Sequence, residues 1–330
     1  MKGLNKKILV TGAGGFIGSH LVEALVEKGA KVRAFVHYNA SGRWGWLDYV
    51  DEHIKNSIEV FAGDIRDLCG VKQAMNNIDV VFHLAALIGI PYSYSSPDSY
   101  VSTNTTGTLN ILQTARELGV QKVIHTSTSE VYGSAQFVPI TEGHPINPQS
   151  PYAATKAGAD FLALAFHRSF ELPVTVIRPF NTYGPRQSAR AFIPTVISQA
   201  LTRDRLIMGS LSPVRDLTFV KDSVEGFISV GLCDKVVGKV VNLGIGSGHT
   251  IRAVVETVLT ILDKKDMPIE QDLARIRPAK SEVTQLISDN SIATEICGWQ
   301  PRYSLAQGLA ETIEWIRENI HMYRPDTYAV

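Results

Sequence analysis

The chain has 330 residues, 45% hydrophobic and 19% charged, the balance of a folded globular protein rather than a disordered one. Its 32 Lys and Arg offset 32 Asp and Glu, which leaves no bulk basic field to hold a nucleic acid or an anionic membrane. An anionic ligand must therefore be met by local arginines and helix ends, and the three scattered cysteines, Cys69, Cys233 and Cys297, read as buried free thiols in a reducing compartment.

The first residues, with Lys6-Lys7 before Ile8-Leu9-Val10, imitate a signal peptide, but the apolar run stops at Thr11-Gly12. That run is Lys7 to Val10, a short buried strand, and Phe16 to Lys28 follows as a helix closed by Gly29. Lys31 to Tyr38 and Ile58 to Ala62 are strand-like. The greasiest stretch, Ile78 to Ile90, holds the strand Asp79 to Leu84 and is interrupted by Asp79 and His83, so it does not span a bilayer. A helix from about Ser99 to Leu118, a strand from Lys122 to Thr126, a helix from Tyr152 to Phe170 and a strand from Pro173 to Ile177 continue the alternation. Strands separated by helical patterns predict an α/β fold with a doubly wound parallel sheet. Beyond residue 180 the regularity weakens, with Pro185, Pro194 and Pro213 close together, and Lys239 to Leu243 is expected to return to the sheet. Residues 1–180 plus about 219–247 therefore read as a dinucleotide-binding (Rossmann) domain. About 181–218 and 248–330 read as a smaller mixed α/β substrate domain. A soluble cytoplasmic protein is expected, without metal.

Gly12, Gly15 and Gly18 lie in Thr11-Gly12-Ala13-Gly14-Gly15-Phe16-Ile17-Gly18, between the first strand and first helix. That spacing lets the backbone turn tightly against a pyrophosphate resting on the helix N-terminus, where Phe16 and Ile17 begin the helix. The acid that would bind a ribose at the end of the second strand is missing: Val36 is followed by His37, Tyr38 and Asn39. NADP is thus as compatible as NAD, with His37, Asn39, Ser41 and Arg43 either contacting a 2′-phosphate or serving only as loop. Asp64, before Ile65, either binds an adenine amino group or caps the next helix.

Ser150-Pro151 marks a helix start, which sets Tyr152 and Lys156 four apart on one helical face. A phenol beside an ammonium and a nicotinamide cation should have a lowered pKa and act as a base. Thr128, Ser129 and Glu130 follow the strand that begins at Lys122, at the end where parallel sheets bind ligands. Thr128 is a hydrogen-bond donor to a hydroxyl being oxidised, and Glu130 a candidate base. His83, His125 and His167 are too separated for a metal site. Trp44 and Trp46 either wall the cleft or pack.

These motifs together resemble the extended short-chain dehydrogenase/reductases that act on nucleotide sugars. The resemblance runs from Ile8 to about Trp315 and includes His83-Leu84-Ala85-Ala86, Thr128-Ser129-Glu130-Val131-Tyr132-Gly133, Tyr152-x-x-x-Lys156, Arg178-Pro179, Arg215-Asp216 and Gly298-Trp299-x-Pro301. In finer detail, His37-Tyr38-Asn39, Trp44-Gly45-Trp46 and Pro179-Phe180-Asn181-Thr182-Tyr183 look like the N-acetylglucosamine nucleotide 4,6-dehydratases of legionaminic acid biosynthesis. The resemblance implies that Leu84, Ala85, Ala86, Asp64 and Ile65 contact a tightly held NAD or NADP. It also implies that Asn181, Arg186, Arg215 and Arg277 approach the substrate's diphosphate or nucleotide, while Arg178 and Arg302 are structural. A homodimer is expected from the helices near 99–118 and 152–170, the second carrying Phe161, Leu162 and Phe166.

Within that resemblance Tyr152 would take a proton from the carbon 4 hydroxyl, with Thr128 and Lys156 holding the geometry. Glu130 would then remove the acidified hydrogen on carbon 5. In the related glucose dehydratases an Asp precedes this Glu and protonates the departing hydroxyl; here that position is Ser129. A nucleotide-sugar uronate decarboxylase and a 4-epimerase are the alternatives on the same scaffold. A dinucleotide-sensing regulator is disfavoured by the presence of Thr128, Tyr152 and Lys156 together.

Overall fold

The computed structural model describes residues 4–272, 275 and 281–323. The strands are β1 (Lys7–Thr11), β2 (Lys31–His37), β3 (Ile58–Gly63), β4 (Val80–His83), β5 (Lys122–Thr126), β6 (Val174–Pro179) and β7 (Asn181–Tyr183). There follow β8 (Leu206–Met208), β9 (Val214–Arg215), β10 (Leu217–Phe219), β11 (Val240–Leu243), β12 (His249–Thr250), β13 (Ile269–Gln271) and β14 (Gln285–Leu286). The helices are α1 (Phe16–Glu27), α2 (Glu52–Lys55), α3 (Leu68–Met75), α4 (Ile90–Ser95), α5 (Pro97–Tyr100) and α6 (Gly107–Glu117). After them come α7 (Pro151–Phe170), α8 (Phe192–Thr202), α9 (Val220–Leu232), α10 (Ile251–Ile261) and α11 (Leu305–Glu318).

Seven strands form one parallel sheet in the order β11-β6-β5-β4-β1-β2-β3, the doubly wound arrangement expected from the alternating patterns. Ile8, Leu9 and Val10 are fully buried, as are Val81, Phe82, Val123 and Ile124, so helices cover both faces. The strand order reverses between β1 and β4, whose ends Thr11 and His83 lie side by side and open the crevice where such sheets bind ligands. β11 completes the sheet beside β6, as the run from Lys239 predicts.

The later segments build short strand pairs away from the main sheet: β7 with β10, β9 with β12 and β14, and β8 with β13. Strand β7 leaves β6 after Phe180 alone, so the main sheet feeds directly into this second layer. Tyr183 and Phe219 on this layer are buried, and their rings pack at 5.6 Å.

Two expectations need correction. The helix from Ser99 to Leu118 is not continuous: α5 passes into a π-helical stretch, Val101–Thr106, and only then into α6. The cysteines are free but not buried, for Cys69 is exposed in the first turn of α3 and Cys233 and Cys297 are half-buried.

Candidate active site

Three chain segments converge at the strand ends, and the first is the glycine turn. Gly12 has a φ of +69°, and a Cβ there would stand 2.8 Å from the Ala85 nitrogen. A Cβ on Gly18 would stand 2.1 Å from the Gly12 carbonyl oxygen, so helix and turn touch without side chains between them. Helix α1 starts at Phe16 with Gly15 as N-cap and no capping side chain, and Ile17 sits in its first turn. Its first backbone N–H groups are left to an external acceptor, which suits a pyrophosphate. The turn and helix therefore fit the diphosphate of a dinucleotide.

Thr11 ties this turn to the next segment. Its Oγ1 accepts from the backbone nitrogens of both Leu84 and Ala85 at 3.1 Å, and it bonds His83 Nδ1 at 2.8 Å. On the other side of that ring, Nε2 meets Thr108 Oγ1 at 3.0 Å. Burial, then the neighbouring His125 and Lys156, hold His83 well below the ordinary histidine range. It is a neutral strap between β4 and α6. Beyond Ala86, Asn104 in the π-helical stretch accepts from Leu87 N at 2.8 Å and donates to Leu87 O and Thr155 Oγ1. Asn104 thus fixes the loop after β4 against the helix that carries Tyr152, a placement often met where π turns interrupt helices.

The ribose end is built differently from the glycine turn. His37 is exposed, and Asn39 spends its amide inside its own loop: Oδ1 accepts from Ser41 and Arg43 N, and Nδ2 donates to Arg43 O at 2.7 Å. Arg43 pairs with Asp48. Asp64 does not cap the following helix. The cap is Asp67, which accepts from Cys69 N and Gly70 N. Asp64 instead receives the Arg66 guanidinium, which holds its carboxyl below the usual carboxylate range. Ile65 is buried, and its carbonyl accepts from Asn110. Trp44 and Trp46 pack. A Cβ on Gly14 would meet the Trp44 carbonyl at 2.4 Å, Trp46 N donates to Gly14 O, and the Trp46 ring stacks edge-on with Trp315 at 5.4 Å.

The second segment is the end of β5 and the third is α7. Ser150 caps α7 with its hydroxyl on Ala153 N and Pro151 follows at the first position, as expected. Thr128 caps the single turn Ser129–Tyr132 by accepting from Glu130 N at 3.2 Å, and its hydroxyl acts to lower the Tyr152 phenol. Glu130 is close enough to raise that phenol electrostatically. Ser129 is buried. Lys156 Nζ donates to Thr126 O at 2.6 Å, so the lysine braces the strand end that carries Thr128. Burial lowers the ammonium to about 8, with Asp160 opposing.

The expected lowering of the Tyr152 phenol is not what the protein itself produces. Burial raises it above its ordinary value, the Thr128 hydroxyl works the other way, and Glu130, Tyr100 and Asp160 add to the rise. Physically, an apolar pocket against Tyr100 penalises the phenolate, and the Lys156 ammonium is directed at a carbonyl.

Asp160 was missed by the sequence reading. It extends the spacing of Tyr152 and Lys156 by four more residues, and it is the one carboxylate among Ala157, Ala159 and Ala163, all of them buried. Its carboxylate accepts from Ser127 Oγ at 2.7 Å and from Arg178 Nε at 3.0 Å.

The expected substrate residues are separated by their partners. Arg186 gives both terminal nitrogens to Glu23 on α1, at 2.6 and 3.0 Å, and a further bond to Ser19. Arg215 is buried, donates to Val214 O and faces Glu282 at 3.4 Å. Asn181 starts β7, and its Oδ1 is buried without a hydrogen-bond partner among the described residues. Arg277 lies outside the described residues. Arg302 donates its backbone nitrogen to Asp222.

A family model described as GDP-mannose 4,6 dehydratase matches residues 9–312. The chain belongs to this family. It is 34% identical to a UDP-glucose 4-epimerase of Mycolicibacterium smegmatis, over 94% of this chain and 98% of that one. It is 33% identical to a UDP-N-acetyl-alpha-D-glucosaminuronate decarboxylase of Bacillus cytotoxicus, over 96% of this chain and 99% of that one. The structure of a dTDP-glucose 4,6-dehydratase from Streptomyces venezuelae, solved with NAD bound, superposes with a TM-score of 0.88 at 31% identity, covering 97% and 100% of the two chains. The family is thus one of nucleotide-sugar enzymes of the short-chain dehydrogenase/reductase type, using NAD(P), whose members include dehydratases, epimerases and decarboxylases.

Proposed function

We propose that this protein is a nucleotide-sugar 4,6-dehydratase that converts an NDP-N-acetylglucosamine-type substrate to its 4-keto-6-deoxy product. The observation that carries the reading is Glu130, whose backbone nitrogen Thr128 holds at the end of β5 and whose carboxylate is within electrostatic reach of the Tyr152 phenol. A carboxylate there is suited to remove the hydrogen on carbon 5, a step that a 4-epimerase does not need. The bound nicotinamide supplies reversible hydride acceptance. Tyr152 handles the carbon 4 hydroxyl proton, Thr128 orients the phenol, and Lys156 holds Thr126 and with it the strand end. Gly12, Gly15 and the start of α1 are assigned to the dinucleotide diphosphate. Asn181, Arg186, Arg215 and Arg277 are assigned to the substrate lobe built from about 181–218 and 248–330. In that assignment Arg186 acts while paired with Glu23, so it places charge rather than a free fork toward the phosphates.

The second reading is a uronate decarboxylase. It is favoured by Ser129, whose buried hydroxyl is a poor acid for protonating a departing hydroxyl. In the dehydratase reading Glu130, once protonated, or a water held by Ser129 supplies that proton. Incubation with a panel of UDP- and GDP-sugars, read by product mass, separates the two: loss of water supports the dehydratase, and loss of carbon dioxide overturns it. In deuterated water the dehydratase incorporates solvent deuterium at carbon 5. Glu130→Gln is expected to lower turnover by roughly 10²–10⁴-fold through lost general base catalysis; dehydration at the wild-type rate would show that Glu130 does not act.

The same reading includes a tightly held NAD or NADP, since the hydride is returned within each cycle, and a cytoplasmic homodimer. Phe161 on α7 is 58% exposed and Val101 is 49% exposed, an apolar pair suited to packing against a second copy. Nucleotides released on denaturation identify the cofactor, and the solution mass at micromolar concentration tests the dimer.

A further inference from the structure

Lys156 sits in a fully buried polar cluster drawn from four elements. From α7 come Tyr152 and Asp160, from β4 His83, from β5 His125, and from β6 Arg178. Asp160 is completely buried and one helical turn beyond Lys156. Its Oδ2 accepts from Ser127 Oγ at 2.7 Å and from Arg178 Nε at 3.0 Å, and pairs with a terminal guanidinium nitrogen of Arg178 at 3.0 Å. On the other side, His125 Nε2 stands 3.3 Å from Oδ1, but neither atom has a hydrogen bond of good geometry. Burial, then Lys156, lowers His125, so both histidines are neutral and the cluster's charges reduce to Lys156, Arg178 and Asp160. Glu130 and Tyr100 face the site from the Tyr152 side. Arg178 thus touches the one carboxylate, while Lys156, bonded to Thr126 O one helical turn away, is within its electrostatic reach.

From this arrangement we propose that Asp160 is a positioning residue that keeps the Lys156 ammonium charged at neutral pH and, through Ser127, holds the strand end that presents Thr128. It rests on the reading of Tyr152 and Lys156 as the hydroxyl-oxidising pair, which the dehydratase, decarboxylase and epimerase readings share. Two like charges left without their common counter-ion disfavour each other, and the guanidinium cannot give up its proton. Removing the carboxylate therefore makes Lys156 the group that discharges. Arg178 sets the geometry of the carboxylate and adds the charge that makes it necessary.

The test uses full-length protein with its bound dinucleotide, and reads the hydride step by absorbance of the reduced nicotinamide on mixing with substrate. That step precedes loss of water or carbon dioxide, so it is measurable whichever product forms; a wild-type protein that shows no hydride step overturns the oxidising-pair reading on which this one rests. Asp160→Asn is expected to move the alkaline limb of the rate–pH profile about one pH unit or more toward acid, with KM little changed. Isotope-labelled lysine, followed by NMR, should show the Lys156 titration moving the same way. The double variant Asp160→Asn/Arg178→Met restores the single net positive charge and should return both titrations toward wild type. Ser127→Ala removes one hydrogen bond but no charge, and should lower the rate without moving the limb. An Asp160→Asn limb and Lys156 titration at the wild-type pH would overturn the proposal. So would a double variant whose titration stays with the single one, and so would loss of folding in Asp160→Asn that Arg178→Met fails to rescue.

Discussion

The dinucleotide side of the cleft and the side proposed to take the substrate are built on opposite plans. On the dinucleotide side the work is done by backbone: Gly12 and Gly18 remove side chains where strand, turn and helix touch, and Thr11 and His83 satisfy one another and the two amides beyond β4. On the substrate side the work falls to side chains whose partners lie far away in sequence, Arg186 on Glu23 and Arg215 on Glu282. There, the buried Oδ1 of Asn181 and Oε1 of Gln187 have no hydrogen-bond partner among the described residues. The first side leaves the opening N–H groups of α1 without a capping side chain, and the second leaves these two buried acceptors without donors among the described residues. A buried acceptor without a donor costs free energy, and a substrate bound as proposed would supply the missing bond.

Substitutions at the two sides should separate these plans. The largest effect is expected at Gly18→Ala, where a methyl 2.1 Å from the Gly12 carbonyl forces helix and turn apart. Overpacking of this kind costs about 1–3 kcal/mol or more, and dinucleotide retention should fall with it; a variant with unchanged melting temperature and full cofactor would break the comparison. Next comes Thr11→Val, which keeps the volume but strands the Ala85 amide and one nitrogen of His83, while the Leu84 amide keeps its bond to the Thr11 carbonyl. At about 1–3 kcal/mol for a buried group left unpaired, the loss should be plain in denaturant unfolding. The smallest effect on stability is expected at Asn181→Ala, within about 1 kcal/mol, because the oxygen it removes has no hydrogen-bond partner to lose. Its effect should appear in substrate KM, and an unchanged KM with a large stability loss would invert the assignment.

The same contrast explains what could be read from the chain. The β-branched runs at β1, β4, β5 and β6 and the glycine spacing are local signals, and they placed the sheet, the turn and the Tyr152–Lys156 face. The clamp by Asn104 was hidden because Val101–Thr106 contains neither Gly nor Pro to mark the change of helical pitch. Asp67 took the cap from Asp64 because Arg66, two residues on, captures the earlier carboxylate. The pairing of Arg186 with Glu23 spans 163 residues and carries no periodic trace. Tyr152 shows the limit of motif chemistry. The spacing puts Lys156 on its face, but the ammonium turns to Thr126 O, and the sign of the phenol's shift follows from how deeply Tyr100 and α7 bury it, which spacing does not encode.

The roof of the glycine turn has a consequence for the order in which the molecule matures. Trp46 donates its amide to Gly14 and lays its ring on Trp315, close to the last described residue of α11. A ribosome delivers β1, the glycine turn and Trp46 well before Trp315 of α11. The edge of β6 likewise waits for β11 to emerge. In a nascent chain that folds from its N-terminus, the turn and Trp46 are therefore assembled before the ring that braces Trp46 is made. The turn's final shape arrives with α11, which makes a firm grip on dinucleotide dependent on that helix and sensitive to its removal.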